Sequence, residues 1–393
     1  MKFVSWICTF FSALLLFADQ PSSFERTAKE TVLPQTIHVL LEKEVDEALL
    51  EVRGPYYLFD PQNGSRITAG LLDKRFMIRE LASGLKWGEK FSGIHQFYVK
   101  PRSPDTSIFI NGIQYSGSVY FYGVGGKLHI VNEIDIESYV KAVLTTQFPT
   151  PMEPEVMAAV AIAARTSAYY KALKGRGSFW HVDAKEEGYM GSALIVARSP
   201  IERAVDSTKQ LILLYSHEER NSPFLASWTE HSAGKTAAYE AIFRRSEDGP
   251  QGVEAPHAKL ARQESKWSYQ ISKKAFCSLF HLSSLNALEL FCDASSGKVY
   301  ALRCNKGGNE SSDIEFVSLQ RILGKEHLLS SDFTVTLKDD QLLFAGYGKG
   351  HGVGLCLYSA SALVQNGENA VKILNKFFPE TYLCNVGTLP SVR

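Results

Sequence analysis

The stretch that decides the fold is Pro154-Glu-Val-Met-Ala-Ala-Val-Ala-Ile-Ala-Ala-Arg-Thr-Ser-Ala-Tyr-Tyr-Lys-Ala-Leu-Lys174. Proline suits the first position of a helix, and the glycine at position 175 suits a C-cap, so one helix is predicted over 154–174. Its centre, residues 158–164, is small and apolar on nearly every side. A helix without a polar face is buried and closely packed, so this helix is expected at the centre of a domain.

A second helix is predicted just upstream, over 135–147. Its apolar residues recur at i, i+3, i+4, i+7 and i+8, as Ile136, Tyr139, Val140, Val143 and Leu144. This spacing forms one face of a helix, Asp135 suits the N-cap, and the prolines at 149 and 151 end the helix. Gln147 lies on the same face as Val140 and Val143, and it is therefore expected to point into the protein.

The rest of the chain alternates short apolar runs with turn signals. Such runs fill residues 36–132 and predict strands, and mixed short strands and loops follow from 176 to about 345. A glycine cluster at 346–354 precedes two further predicted helices, over 356–365 and 368–377. The chain is therefore predicted to be an α+β protein, with a β-rich accessory region at 36–130 and a mixed α/β domain at 131–385.

The N-terminus has the pattern of a signal peptide. Lys2 precedes an apolar run over residues 3–17, and Ala18 offers a small residue for cleavage before Asp19. This run is shorter than the roughly 20 apolar residues that span a bilayer, which favours a leader over an anchor. We predict a signal peptide at 1–20, a flexible lead-in at 21–35 and export to the periplasm or cell envelope. An uncleaved leader would be the chain's only contact with a membrane.

The charge balance argues against a nucleic-acid-binding protein, and the cysteine spacing argues against a zinc site. Lys+Arg and Asp+Glu are equal at 42 each, so the basic surplus that nucleic-acid binding requires is missing. The cysteines beyond the leader are Cys277, Cys292, Cys304, Cys356 and Cys384, an odd number, so at least one unpaired thiol is expected. Their spacing is not that of zinc ligands. Neither a metal nor a cofactor is predicted.

Three segments carry a family resemblance. The first is Asn132-Glu-Ile-Asp-Ile-Glu-Ser-Tyr-Val-Lys-Ala-Val-Leu-Thr-Thr-Gln-Phe-Pro149 with Ala161-Ile-Ala-Ala-Arg-Thr166. The second is Ala204-Val-Asp-Ser-Thr208 with His231-Ser-Ala-Gly-Lys-Thr236, and the third is Gly350-His-Gly-Val-Gly-Leu-Cys-Leu-Tyr-Ser-Ala360 with Ile373-Leu-Asn-Lys-Phe-Phe-Pro-Glu-Thr381. In this order they resemble the SpoIID/LytB family, the stage II sporulation protein D-like proteins, so residues 131–385 are interpreted as a domain of that kind.

The resemblance implies lytic transglycosylation of peptidoglycan glycan strands that have lost their stem peptides. One carboxyl group protonates the glycosidic oxygen and then removes the proton of the muramyl 6-hydroxyl, leaving 1,6-anhydromuramyl ends. The family's catalytic glutamate aligns with Gln147, and an amide can neither donate nor accept that proton. The sequence therefore predicts a protein of cell-wall remodelling that binds denuded glycan strands and has lost or weakened catalysis.

Two alternatives stay open. The first is an active lytic transglycosylase with a displaced acid, and Glu153, which stands where the family has proline, is the candidate replacement. The second is a protein without enzymatic activity that enhances a peptidoglycan amidase or serves as a cell-wall scaffold.

The resemblance also implies a set of substrate-binding residues. His351 offers a hydrogen-bond donor, and Gly350 and Gly352 around it permit positive φ and close approach of the backbone. Tyr358 offers a ring that can stack on a sugar. The other candidates are Arg165, His231 and Ser232, which lie within the matching segments.

Overall fold

The computed structural model describes residues 33–217, 220–245, 248–307 and 310–388. The predicted signal peptide at 1–20 and residues 21–32 of the predicted lead-in lie outside these ranges. The helices, numbered in chain order, are α1 Ile136–Gln147, α2 Pro154–Lys174, α3 Ala184–Glu187, α4 Pro200–Ser207, α5 Tyr239–Phe243, α6 Pro256–Leu260, α7 Lys273–Leu279, α8 Phe316–Leu323, α9 Leu357–Gln365 and α10 Ala370–Phe377. Short 3-10 helices cover Arg262–Ser265 and Val386–Thr388. Within the described ranges, no helix has the length and apolar character needed to cross a membrane.

The strands are distributed over the whole described chain. They are β1 Thr36–Val45, β2 Glu47–Arg53, β3 Tyr56–Phe59, β4 Arg66–Gly70, β5 Lys74–Leu81, β6 Gly84–Trp87, β7 Glu89–Ser92, β8 Gln96–Pro101, β9 Ser107–Ile110, β10 Ile113–Tyr115, β11 Ser118–Val124, β12 Lys127–Asp135, β13 Val182–Asp183, β14 Leu211–His217, β15 Arg220–Ser222, β16 Trp228–Thr229, β17 Lys266–Ser272, β18 Ala287–Cys292, β19 Val299–Gly307, β20 Glu310–Glu315, β21 Phe333–Lys338, β22 Gln341–Tyr347, β23 Leu355–Cys356 and β24 Thr381–Asn385. The predicted α+β class and the β-rich N-terminal region are both confirmed.

The early strands form two sheets. One runs in the order β13-β1-β12-β11-β8-β3-β4, and the other in the order β10-β9-β2-β5-β6-β7. Strand β12 leads directly into α1, so the larger sheet delivers the chain to the first helix. The later strands form smaller sheets, ordered β15-β14-β24, β16-β23, β17-β22-β21 and β18-β19-β20.

The two predicted helices have the predicted ends. The Asp135 side chain accepts a hydrogen bond from the Ser138 backbone N–H at 2.9 Å and caps α1. Helix α2 begins at Pro154 and ends at Lys174. Its small apolar centre is buried on nearly every side, as its composition predicted, because α1, α4, α9, α10 and β14 all pack against it.

Two large hydrophobic cores fill most of the described chain, and Leu40, Tyr122 and Val131 form a small third cluster. The larger core joins the early strands to the helices, with Ile134, Val140, Val160, Leu213 and Leu355 among its members. The smaller core is built from residues 237–353 and holds aromatic residues such as Phe276 and Phe344. The boundary predicted at residue 130 falls inside β12 and inside the larger core. The strands of 36–130 and the helices after them are therefore packed together rather than separated by a linker.

A buried ion pair joins α1 to α2. The Arg165 side chain is fully buried, and its Nε and Nη2 atoms donate to the two carboxylate oxygens of Glu137 at 2.9 and 2.7 Å. Its remaining donors reach the carbonyls of Val205 at 3.0 Å and Leu211 at 3.1 Å. One guanidinium thus ties α1, α2, α4 and β14 together, in a fork geometry that arginine provides and lysine does not.

We expect Glu137→Gln to lower the free energy of unfolding by about 3 kcal/mol or more, because it leaves a buried guanidinium without its counter-charge. Urea unfolding measures the change. The matched control is Asp313→Asn, which breaks the bidentate but half-exposed pair of Asp313 with Arg303 and should lower the free energy of unfolding much less, because water screens an exposed ion pair. Equal losses in the two variants would contradict a structural role for the buried pair.

Candidate functional site

An open cleft with a volume of about 310 Å³ lies at the C-terminal end of α1. It is lined by Tyr139, Val140, Val143 and Gln147 of α1, by Ala164, Ser167, Ala168 and Lys171 of α2, by Glu186 and Glu187 of α3, by residues 225–228, by Tyr239 and Phe243 of α5, and by His351. We name it the Gln147 cleft. The cleft brings together Gln147 from the first matching segment and His351 from the third.

Gln147 is the last residue of α1, and its side chain is exposed at the cleft. The expectation that it points into the core is wrong, because the apolar face of α1 packs inward only as far as Leu144. Its Nε2 donates to the backbone carbonyl of Glu187 at 3.1 Å. The neighbouring Thr146 hydroxyl donates to the carbonyl of Gly188 at 2.6 Å, so the end of α1 is tied to the end of α3.

The Glu187 side chain is the carboxylate next to Gln147. Lys171 Nζ lies 2.7 Å from one of its oxygens and 2.8 Å from the other, and the Tyr139 hydroxyl donates to it at 3.2 Å. Burial and the Glu187 charge raise the pKa of Tyr139 well above its ordinary value, so the phenol stays a donor. The sequence did not indicate Glu187 and Lys171, because the contacts that link Gln147 to Glu187 and Glu187 to Lys171 join three helices and have no local pattern.

His351 presents its ring to the cleft, edge-on to Phe243 with the ring centroids 5.2 Å apart. Its Nδ1 accepts a hydrogen bond from the Val353 backbone N–H at 3.1 Å, so the proton of the neutral ring is on Nε2. Burial, with a smaller effect from the charge of Lys325, lowers the pKa of His351 to about 4. The ring is therefore a neutral hydrogen-bond donor at physiological pH.

Gly350 and Gly352 hold His351 in place. Both have positive φ, 97° and 77°, and a Cβ on Gly350 would lie 2.4 Å from the Thr229 hydroxyl. That hydroxyl donates to the Lys349 carbonyl and accepts from the Gly352 N–H. Glycine thus allows the backbone of this segment to lie close against Thr229 of strand β16 in the same protein.

The other predicted residues lie elsewhere. Arg165 is buried in the pair with Glu137 and does not line the cleft. Glu153 precedes α2 and accepts a hydrogen bond from the Ser361 hydroxyl at 2.9 Å, also outside the cleft. Ser232 is buried, and its backbone N–H points to the Cys356 sulfur at 3.4 Å. His231 and Tyr358 line a separate pocket.

The described cysteines are free thiols, and within the described ranges no three His, Cys, Asp or Glu side chains are grouped so that they could hold a metal ion.

Comparison with known proteins identifies the family. Residues 124–215 match the family model for SpoIID, the stage II sporulation protein. The chain is 24% identical over 274 residues to the stage II sporulation protein D of Bacillus subtilis strain 168, covering 64% of this chain and 75% of that protein. The chain belongs to the SpoIID family, and this membership supports a role related to the cell wall.

Other relatives show how far the similarity extends. An uncharacterized protein of Chlamydia pneumoniae is 33% identical over 199 residues, which is 50% of this chain and 72% of that protein. An uncharacterized protein of Brachyspira hyodysenteriae is 27% identical over 343 residues, which is 84% of this chain and 87% of that protein. The second similarity thus covers most of this chain, whereas the first covers half of it.

We expect the His351 ring to stay neutral down to pH 5. Because its folded pKa of about 4 lies below the value of about 6.5 in an unfolded chain, the unfolded state binds the extra proton as the pH falls through this window. The wild-type protein should therefore lose about 2 kcal/mol more unfolding free energy between pH 7.5 and pH 5 than His351→Gln does. Urea unfolding at both pH values measures this, and equal losses would contradict it.

Proposed function

We propose that this chain is an exported protein that binds the glycan strands of peptidoglycan and has lost or weakened lytic transglycosylase activity. The observation that carries the proposal is the amide of Gln147 in an open cleft, at the position where the family has its catalytic glutamate. Export rests on the leader predicted at 1–20, and cell fractionation tests it.

The lining of the Gln147 cleft supports a carbohydrate ligand. Trp228, Tyr239 and Phe243 offer aromatic surface, and sugars bind with their apolar faces against such rings. Lys171 and His351 supply hydrogen-bond donors close by, and the oxygen of the Gln147 amide is free of the Glu187 contact and can accept. This combination of apolar surface and a few placed polar groups is typical of small-molecule and saccharide sites.

The carboxylates of the cleft support the loss of catalysis. Among the described residues that line it, only Glu186 and Glu187 carry a carboxyl group. Glu187 is held by Lys171 and Tyr139, so both of its oxygens are already engaged in hydrogen bonds. A general acid must hold a proton and deliver it to the substrate, and an oxygen that accepts from an ammonium group is poorly placed for this.

An active enzyme with a displaced acid is the second candidate. It is favoured by one observation, the exposed carboxyl of Glu186 at the edge of the same cleft. Glu153, the replacement predicted from the sequence, does not line the cleft. If the chain cleaves glycan, we therefore assign the acid to Glu186, because the oxygens of Glu187 are already engaged.

The decisive experiment incubates the purified full chain with denuded glycan strands and analyses the products by mass spectrometry. We expect the wild-type protein to be retained on the strands and to release few or no 1,6-anhydromuramyl products. Gln147→Glu should gain such cleavage, because it restores a carboxyl at the family's position, whereas Gln147→Ala should not.

Two results would contradict this proposal. Absence of retention on denuded strands overturns glycan binding. Abundant anhydromuramyl products from the wild-type protein overturn the loss of catalysis, and their disappearance in Glu186→Gln or Glu187→Gln would identify the displaced acid.

A further inference from the structure

The loop between α3 and α4 exposes a cluster of apolar side chains. Its residues 188–197, Gly-Tyr-Met-Gly-Ser-Ala-Leu-Ile-Val-Ala, include no charged residue. Three large apolar residues in it are about half exposed or more: Met190 at 52%, Leu194 at 49% and Val196 at 65%. We name residues 188–198 the Leu194 loop. Contiguous exposed apolar surface of this kind marks a site that contacts a protein or a membrane.

The Leu194 loop projects from a fixed base. The Tyr189 ring is buried, and its hydroxyl donates to the Asn132 side chain at 2.6 Å. The Ser192 N–H donates to the Gln114 carbonyl at 2.9 Å. Gly191, with a φ of 72°, allows this contact, because a Cβ there would lie 2.2 Å from the same oxygen. The loop ends at the capped N-terminus of α4. Since its base is anchored, the loop keeps its apolar side chains on the surface.

Two arginines without carboxylate partners lie at the α4 end of the loop. Arg203 Nη1 donates to the Arg198 carbonyl at 2.6 Å, so the two residues are neighbours. Within the described part of the chain, neither guanidinium forms an ion pair. The carboxylates of α4, Glu202 and Asp206, both pair with Lys141 of α1 instead. An apolar loop beside unpaired arginines is complementary to a bilayer surface, whose anionic headgroups attract basic residues.

We propose that the Leu194 loop docks this protein on a bilayer that contains anionic phospholipids. The aliphatic side chains of the loop enter the boundary between headgroups and acyl chains, and Arg198 and Arg203 bind lipid phosphates. Protein interfaces are anchored mainly by aromatic residues, whereas the only aromatic ring of the loop, Tyr189, is buried. At the α3 end, Lys185 and Glu186 are both exposed, and their charges offset each other.

Docking through this loop holds the Gln147 cleft at the membrane surface. The loop follows directly on Glu187, the last residue of α3, and Glu187 lines the cleft. The cleft then works on molecules that lie close to the bilayer. This attachment does not require an uncleaved leader, and it does not depend on which ligand the cleft binds.

The test places a tryptophan in the loop of the full chain. Vesicles of equal parts phosphatidylcholine and phosphatidylglycerol carry bromine on their acyl chains, and bromine quenches only rings that reach this depth. Leu194→Trp should be quenched more than the wild-type protein, and Val196→Trp repeats the measurement at a second exposed position. The matched control is Leu260→Trp at the end of α6, where the leucine is 86% exposed, and it should show no added quenching. All these proteins carry the same leader, so an inserted leader does not alter the comparison.

The same readout tests the arginines. Arg198→Gln in the Leu194→Trp protein should raise the lipid concentration at half-maximal quenching roughly fivefold, because one attraction to the anionic headgroups is lost. Vesicles of phosphatidylcholine alone should quench less, and added salt should weaken the quenching by the mixed vesicles.

The outcomes keep this inference separate from the proposed function. Quenching of Leu194→Trp and Val196→Trp no greater than that of Leu260→Trp overturns membrane docking. If the wild-type protein instead dimerises in analytical ultracentrifugation and Leu194→Ser abolishes the dimer, the loop is an interface between two copies, which also overturns it. Leu194→Ser should be retained on denuded glycan as the wild type is, so failure of glycan binding and failure of docking appear in different assays.

Discussion

The buried pair of Arg165 and Glu137 is the constraint on which the rest of the site depends. Helix α1 ends at Gln147 and helix α2 carries Lys171, so the cleft exists only while these two helices keep their relative position. Dispersion contacts between alanine side chains define that position weakly, because a methyl group makes few contacts and does not interlock with its neighbours. A bidentate guanidinium–carboxylate pair has one good geometry. The same arginine also reaches the carbonyls that fix α4 and β14.

The fold was predictable from the sequence where local chemistry determines structure. Pro154 and Gly175 mark the ends of α2, and Asp135 caps α1, because proline, glycine and aspartate act on the backbone within a few residues. The boundary predicted at residue 130 told less about the fold than the predicted helix ends did. A change from strand patterns to helix patterns indicates which elements form, but it does not indicate that β12 and α1 contribute to one core. Packing between distant segments decides that.

The site was predictable in part, and for a similar reason. The glycines around His351 indicated a special backbone, and the structure brings His351 to the same cleft as Gln147. The periodicity of the apolar residues predicted the face of α1 on which Gln147 lies. It did not predict that the buried part of this face ends before Gln147. No sequence pattern separates His351 from His231, since both lie in matching segments, and in the structure the Nδ1 of each ring accepts a backbone hydrogen bond. Only the folded chain assigns them to different concavities.

The hydrogen bond from Gln147 to the Glu187 carbonyl has a consequence for an acidic side chain placed at the same position. A carbonyl oxygen only accepts, so it favours a side chain that offers a proton. An amide always satisfies this, and a carboxylic acid does so only in its neutral form, which is the form a catalytic acid must hold before the reaction. The backbone that now stabilises glutamine would therefore also select the protonated state of a glutamate. A glutamate introduced at position 147 would meet surroundings already suited to an acid.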